Sequence, residues 1–313
     1  MKYRVCIVPI VFALVVLCWR SEAQTKHPVR SEHDQPQGGI SLLVVGDWGT
    51  GGKGARRVGD AMAQQHAARA VHAIISTGDN IYPSGVADIN DAQWESKFES
   101  VYPASKLPVP FWAVLGNHDY RKNPQAQVEY TGKKLSNGQT TRWHMPGRFW
   151  STVFHSADGS LSIRVIGIDT QQLVAGKKER ESHLALLDSV LTLANEDQVL
   201  VVGHHPVYSH GHYGNQKVLV KHLAPRFRKH RVLAYLNGHE HDLQLLRRID
   251  GVRYIISGGG GGTRKTGSGE NTEFVKRSLG FFRLDISAAA CTISVIDDDN
   301  VTLHHIADAI TAR

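Results

Sequence analysis

The chain predicts an α/β fold in which strands alternate with helices and sheet faces are covered on both sides. Three observations carry that expectation. Apolar, β-branched runs of strand length recur along the sequence, each run ends in a polar cluster that contains glycine, and amphipathic helical stretches separate several of the runs. This alternation of strand and helix periodicity is the pattern of βαβ units.

The elements follow in order. "ISLLVV" runs into Gly46, Asp47, Trp48 and Gly49, and a helical pattern follows over 54–70. "VHAIIS" runs into "TGDNIY", ahead of a helical pattern over 92–102, and "PFWAVL" runs into "GNHDY". "IRVIGI" meets Asp169, and the next helix, over 180–195, sets Leu184, Leu187 and Leu191 on one face. "QVLVV" leads to "GHHPVY", a helical pattern spans 215–230, "VLAYL" leads to "NGHEHD", and "VRYIIS" leads to "GGGGG". That last run lacks the Gly-Lys-Ser/Thr of a phosphate loop, so a flexible rim with Arg264 and Lys265 facing anions is expected.

Composition sets the frame. A chain of 313 residues, 41% hydrophobic and 21% charged, has the make-up of a globular protein with a large core. Residues 1–23 read as a signal peptide, because Lys2 and Arg4 precede an apolar run from Val5 to Trp19 and small residues Ser21 and Ala23 follow. Residues 24–39 read as a linker and 40–313 as a single domain. Export, to the periplasm or the outside, is expected, with no stable membrane association after cleavage. Lipid attachment at Cys18 is disfavoured by Leu17 before it. Cleavage removes Cys6 and Cys18 and leaves Cys291 alone, without a partner for an internal disulfide. The formal charge of +7 falls to +5 once Lys2, Arg4, Arg20 and Glu22 are removed, a mildly basic balance that favours anionic ligands, and the lack of a long basic run with aromatics argues against nucleic acid.

In an open α/β sheet the ligand crevice lies beyond the carboxyl ends of the strands. Asp47, Asp79, Asn80, Tyr82, Asn117, His118, His204, His205, His239 and His241 all stand there. Each alone has an ordinary explanation as a turn, cap or buried histidine. Together, two carboxylates, an amide oxygen and three imidazoles make a donor set for two hard or borderline cations. Such a pair can hold a phosphoryl group between its ions. The scarcity of cysteine excludes a thiolate site.

The ordered motifs GDWG, GDNIY, GNHD, GHHP and GHEH resemble the metallophosphoesterase superfamily, and specifically its low-molecular-weight purple acid phosphatases, the group of the mammalian tartrate-resistant enzymes. Gly49 stands where the commoner Asp-x-His motif has histidine, and Tyr82 stands three residues after Asp79, both as in purple acid phosphatases. The resemblance implies a four-layer sandwich of two mixed β-sheets flanked by helices. It implies a ferric ion held by Asp47, Tyr82 and His241, with Asp79 bridging to a divalent ion (Fe, Zn or Mn) held by Asn117, His204 and His239. Hydrolysis of phosphate monoesters would proceed by attack of metal-bound hydroxide. His118 would be the leaving-group acid, or else a histidine that only shapes the pocket. A further pocket histidine of the family aligns with His212 through a one-residue gap, His210 being the other choice.

Small phosphorylated substrates, phosphoprotein among them, and a monomeric state are expected. The insertion that restrains mammalian relatives is shorter here, at "QQLVAGKKERES", and their cysteine pair is absent, so control by proteolysis is not carried over. Two competing readings remain at this level: a phosphodiesterase of the wider superfamily with two divalent ions, and a catalytically silent binding protein that keeps the fold.

Overall fold

In a computed structural model, which describes residues 38–310, two seven-stranded sheets pack face to face. The first begins with β1 (Gly39–Val45), crosses through α1 (Lys53–Ala68) to the parallel β2 (Ala73–Ser76), and continues through β3 (Phe111–Ala113), α2 (Pro124–Glu129) and the two-residue β4 (Trp143–His144). The second starts with β5 (Trp150–His155) and β6 (Ser162–Gly167), then runs through α3 (Thr170–Ala175), α4 (Lys177–Leu193) and β7 (Gln198–Val202). After α5 (Lys217–His222) and α6 (Ala224–Lys229) it is completed by β8 (Ala234–Asn237), β9 (Leu243–Ile249), β10 (Val252–Ser257) and β11 (Thr272–Lys276). The chain then returns to the first sheet as β12 (Gly280–Ser287), β13 (Ala290–Asp297) and β14 (Thr302–Ala309). The strand orders are β14-β13-β12-β1-β2-β3-β4 and β11-β9-β10-β8-β7-β6-β5. Both sheets are mixed, with β1, β2 and β3 parallel in one and β6, β7, β8 and β10 parallel in the other.

The period of two in each strand divides the core. Leu200 and Val202 of β7 join the shared core with Leu42, Val44, Leu236 and Ile255, whereas Val199 and Val201 face Leu187, Leu191, Leu219 and Phe227 of the helices. Four layers result: helix, sheet, sheet, helix. The strands buried on both faces read as continuous apolar runs for this reason.

Two helical expectations are modified. The pattern at 215–230 forms two helices rather than one, and Pro225 stands in the first turn of the second, where its missing N–H costs no hydrogen bond. The pattern at 92–102 closes as a wide turn, with Ser100 N–H donating to the Glu95 carbonyl, and Phe98 points inward. Phe98 meets Trp48, Trp94, Tyr102, Phe111 and Trp143 at ring separations of 5.0–6.5 Å. The signal-peptide reading falls on residues outside those described.

Phe98 is fully buried at the centre of these rings, so Phe98→Ala is expected to lower unfolding free energy by about 3–5 kcal/mol. Denaturant titration followed by circular dichroism measures this. A loss below about 1 kcal/mol would show that the neighbouring rings collapse into the space.

Candidate metal centre

The parallel strands of both sheets deliver their carboxyl ends to one seam. Asp47 follows β1, Asp79 and Tyr82 follow β2, and Asn117 and His118 follow β3; from the second sheet His204 follows β7, and His239 and His241 follow β8. Asp47, Asp79 and His239 have left-handed backbones, with φ of 57°, 53° and 69°. Three such residues at one seam are backbone strain concentrated where side chains must turn inward.

The side chains form two groups that share one carboxylate. The Tyr82 hydroxyl donates to Asp79 Oδ2 at 2.8 Å and lies 3.0 Å from Asp47 Oδ1 and 3.1 Å from His241 Nε2. The other oxygen of Asp79, Oδ1, is 3.6 Å from His204 Nε2, which sits 3.1 Å from Asn117 Oδ1 and 3.2 Å from His239 Nδ1. Backbone donors fix both carboxylates: His118 N–H reaches Asp79 Oδ1 at 2.8 Å, and His239 N–H reaches Asp47 Oδ2 at 2.9 Å.

Lone pairs outnumber protons here. His204 Nδ1 lies 3.0 Å from the Thr77 carbonyl, which only accepts, so the network assigns the proton to Nδ1 and leaves Nε2 as a bare lone pair. Burial holds both His204 and His239 well below the ordinary imidazole range, so both are neutral. Burial also pushes the Asp47 carboxyl up to about 6 and, with the charges of Asp47 and Asp79, pushes the Tyr82 phenol up. Neutral nitrogens, an amide oxygen and carboxylates facing one another are mutually repulsive until a cation enters. Ligand atoms of Asp47, Asp79 and His204 all lie within 4.8 Å of one another. The set of oxygens and imidazole nitrogens suits hard or borderline ions.

His118 stands at the edge of this knot. Its Nδ1 is 2.7 Å from the Pro83 carbonyl, its ring is 4.5 Å from that of Tyr82, and its Nε2 is 4.0 Å from Asp79 Oδ2. His212 is exposed, edge-on to Tyr213, and none of the contacts that tie the cluster together involves it. Tyr213 itself stacks on His239, at 4.4 Å and 24°. The Tyr213 phenol of "YSHGHYG", rather than either of its imidazoles, is the group this loop sets against the cluster. His205 and Asn80 lie behind the crevice, His205 bonded to Thr170 and Asn80 to Ser76, Val114 and Gln127.

Two further carboxylates were not singled out in sequence, although each sits inside a motif. Buried Asp119, of GNHD, accepts from the backbone N–H groups of Asn80, Ile81 and Gly116 and from Gln127 Nε2, and so holds the Asp79 turn against the Asn117 turn. Buried Glu240, of GHEH, accepts from Tyr213 N–H at 2.7 Å, Gly214 N–H at 3.1 Å and Ser209 Oγ at 3.2 Å. The glycine run differs from the flexible rim expected. Gly258, Gly259 and Gly260 are buried, and a Cβ on Gly258 would lie 1.9 Å from the Glu240 carbonyl oxygen. Close backbone approach behind Asp47 is the reason for glycine there.

A donor-rich crevice at the strand ends of a two-sheet α/β sandwich has the layout of a metal-dependent phosphoesterase. Residues 40–243 match the family model described as calcineurin-like phosphoesterase. Tartrate-resistant acid phosphatase type 5 of Homo sapiens is 35% identical over 242 residues, which cover 71% of this chain and 73% of the relative. Purple acid phosphatase 3 of Arabidopsis thaliana is 30% identical over 293 residues, covering 86% of this chain and 77% of the relative. A solved structure described as GAP50, the anchor in the inner membrane complex of Plasmodium, superposes with a TM-score of 0.80 at 25% identity, over 88% of this chain and 90% of that one. The chain therefore belongs to the calcineurin-like phosphoesterase family, in its tartrate-resistant and purple acid phosphatase group, and it is a phosphatase.

The Asp119 network gives a direct test. Asp119→Ala leaves three buried backbone N–H groups without their acceptor, so a loss of about 3 kcal/mol or more in unfolding free energy is expected. Asp119→Asn keeps an acceptor oxygen and should lose less. Equal stability of the two variants would mean that solvent replaces the carboxylate.

Proposed function

We propose that the protein is a purple acid phosphatase that hydrolyses phosphate monoesters at a dinuclear ferric and divalent centre. The observation that carries this reading is the division of Asp79: one carboxylate oxygen faces Tyr82, and the other faces His204. Asp47, Tyr82 and His241 would hold the ferric ion, Asn117, His204 and His239 the divalent one (Fe, Zn or Mn), and Asp79 would bridge. Phenolate is a hard anionic donor, which favours a trivalent ion on the Tyr82 side. When bound, such a pair supplies positive charge for the phosphoryl oxygens and acidifies water.

The chain's own groups supply the remaining chemistry. With Nδ1 engaged by the Pro83 carbonyl, protonated His118 presents Nε2–H to the leaving oxygen. The proton passes to that oxygen as its bond to phosphorus breaks, and the product leaves as an alcohol. Thr77 and Asp119 orient His204 and the Asp79 turn without touching substrate.

Export through the signal peptide, a monomeric state and small phosphorylated substrates, phosphoprotein included, complete the proposal. Gly49 and Tyr82 favour it over a phosphodiesterase with two divalent ions. GAP50 is described as an anchor, and a silent binding protein would have no need of this many converging metal donors.

Protein expressed with ample iron is expected to be pink to purple with two metals per chain, and Tyr82→Phe should lose the colour while keeping its circular dichroism. Asp79→Asn should deplete both metals, whereas His204→Ala should empty mainly the divalent site. A colourless wild type holding zinc or manganese in both sites, or full occupancy in the Asp79 variant, would contradict the assignment.

His118→Ala should slow alkyl phosphate hydrolysis by roughly 10²- to 10⁴-fold and activated aryl esters much less, with metal content retained. A uniform loss across good and poor leaving groups would remove His118 from the role of acid.

A further inference from the structure

The wall of the crevice above His239 is built from two residues that the reading above leaves without a role. Tyr213 lays its ring on the His239 imidazole, and Arg264 Nη1 donates to the Tyr213 hydroxyl at 2.8 Å. Both are held in place from the metal side. Arg264 N–H donates to the His241 carbonyl at 2.8 Å, and Tyr213 N–H donates to buried Glu240 at 2.7 Å. The loop and the arginine are thus tied to successive residues of the GHEH turn.

Among the described residues, Arg264 forms no ion pair with any carboxylate; its side chain bonds only to a neutral phenol. A partly exposed guanidinium with most of its five donors open is suited to an anion. A phosphoryl group held at the cluster would lie beside His239, and the guanidinium centre stands 5.5 Å from the middle of the Tyr213 ring that covers this imidazole. Bound to the hydroxyl of that ring, it is offered to the ester group of the substrate.

We infer that Tyr213 and Arg264 form a binding subsite for a second negative charge on the ester group, so that the enzyme selects anionic phosphate monoesters over neutral ones. The inference rests on the phosphatase reading, and it names the substrate class of that same site. Tyr213 supplies a rigid aromatic floor and hydrogen-bonds the arginine in its working orientation. Arg264 supplies the charge, and its partly exposed setting makes the preference modest and sensitive to salt.

The test compares 4-carboxyphenyl phosphate with 4-carbamoylphenyl phosphate, which has a neutral group of similar size. In parallel, the matching non-hydrolysable phosphonates are titrated by calorimetry. The wild type should favour the carboxylate by about 3- to 5-fold in KM and in phosphonate Kd, less at high salt. Arg264→Gln should bring both ratios close to one, and Tyr213→Phe, which keeps the ring but frees the arginine, should give an intermediate ratio. Equal KM and Kd values for the two compounds in the wild type would overturn the subsite. So would an equal rise for both in Arg264→Gln, which would assign the arginine to the phosphoryl group. Preferential binding of the carboxylated phosphonate without hydrolysis of either ester would leave the subsite standing and sink the monoesterase reading.

Discussion

The buried carboxylate of Asp79 is the constraint on which the rest of the site depends. A carboxylate with about 1% exposure, facing a phenol, an amide and bare imidazole nitrogens, is costly to bury unless cations or protons sit among the lone pairs. The backbone is shaped around that need. Asp47, Asp79 and His239 take left-handed conformations, at a cost of order 1–3 kcal/mol each. Gly258 and Gly260 let the chain pass close behind Asp47, and Asp119 collects the N–H groups of the turn that presents Asp79. Strain and burial of this kind are tolerable because the surrounding strands are rigid and deeply packed.

The GHEH turn shows how one short segment serves two faces. His239 and His241 point to the cluster, and Glu240 between them points the other way, into the loop that carries Tyr213. The left-handed bend at His239, with φ of 69°, sets the Glu240 side chain apart from those of its two neighbours. The residue between two ligand candidates is therefore placed to couple the centre to its rim, and the Arg264 N–H bond to His241 does the same from the other side.

Much of this was legible in the sequence because the strands that carry the site are buried on both faces. β1, β2, β7, β8 and β10 stand out as largely apolar runs, interrupted only by Ser41 in β1 and Arg253 in β10, and the polar residues at or after the end of each run mark its carboxyl end. The C-terminal hairpin strands were not seen, since β14 alternates "TLHHIADA" with no apolar block and β12 finds its neighbour β1 more than two hundred residues earlier. The rim was misread for a different reason. Tyr213 and Arg264 gain their meaning only by contact with His239 and His241, and no spacing rule encodes a stack between loops. The glycine run looked flexible because composition reports conformational freedom, whereas the fold uses these residues for their lack of a side chain.

The origin of the donors adds a consequence for stability. Asp47, Asp79, Tyr82 and Asn117 come from the first sheet, and His204, His239 and His241 from the second. Each of the two donor groups mixes both sources: Asp47 and Tyr82 meet His241, and Asn117 meets His204, which in turn meets His239. Ions in such a site would tie sheet to sheet, and their binding free energy would add to the docking of the two sheets rather than to either sheet alone. The large shared core keeps the sheets together through most of their area. The seam at the strand ends is different, since repulsion among lone pairs there opposes the packing that the core favours. Placing the chemistry where the two sheets converge makes the crevice the part of the fold most responsive to metal, while the outer helices and the C-terminal hairpins stay indifferent to it.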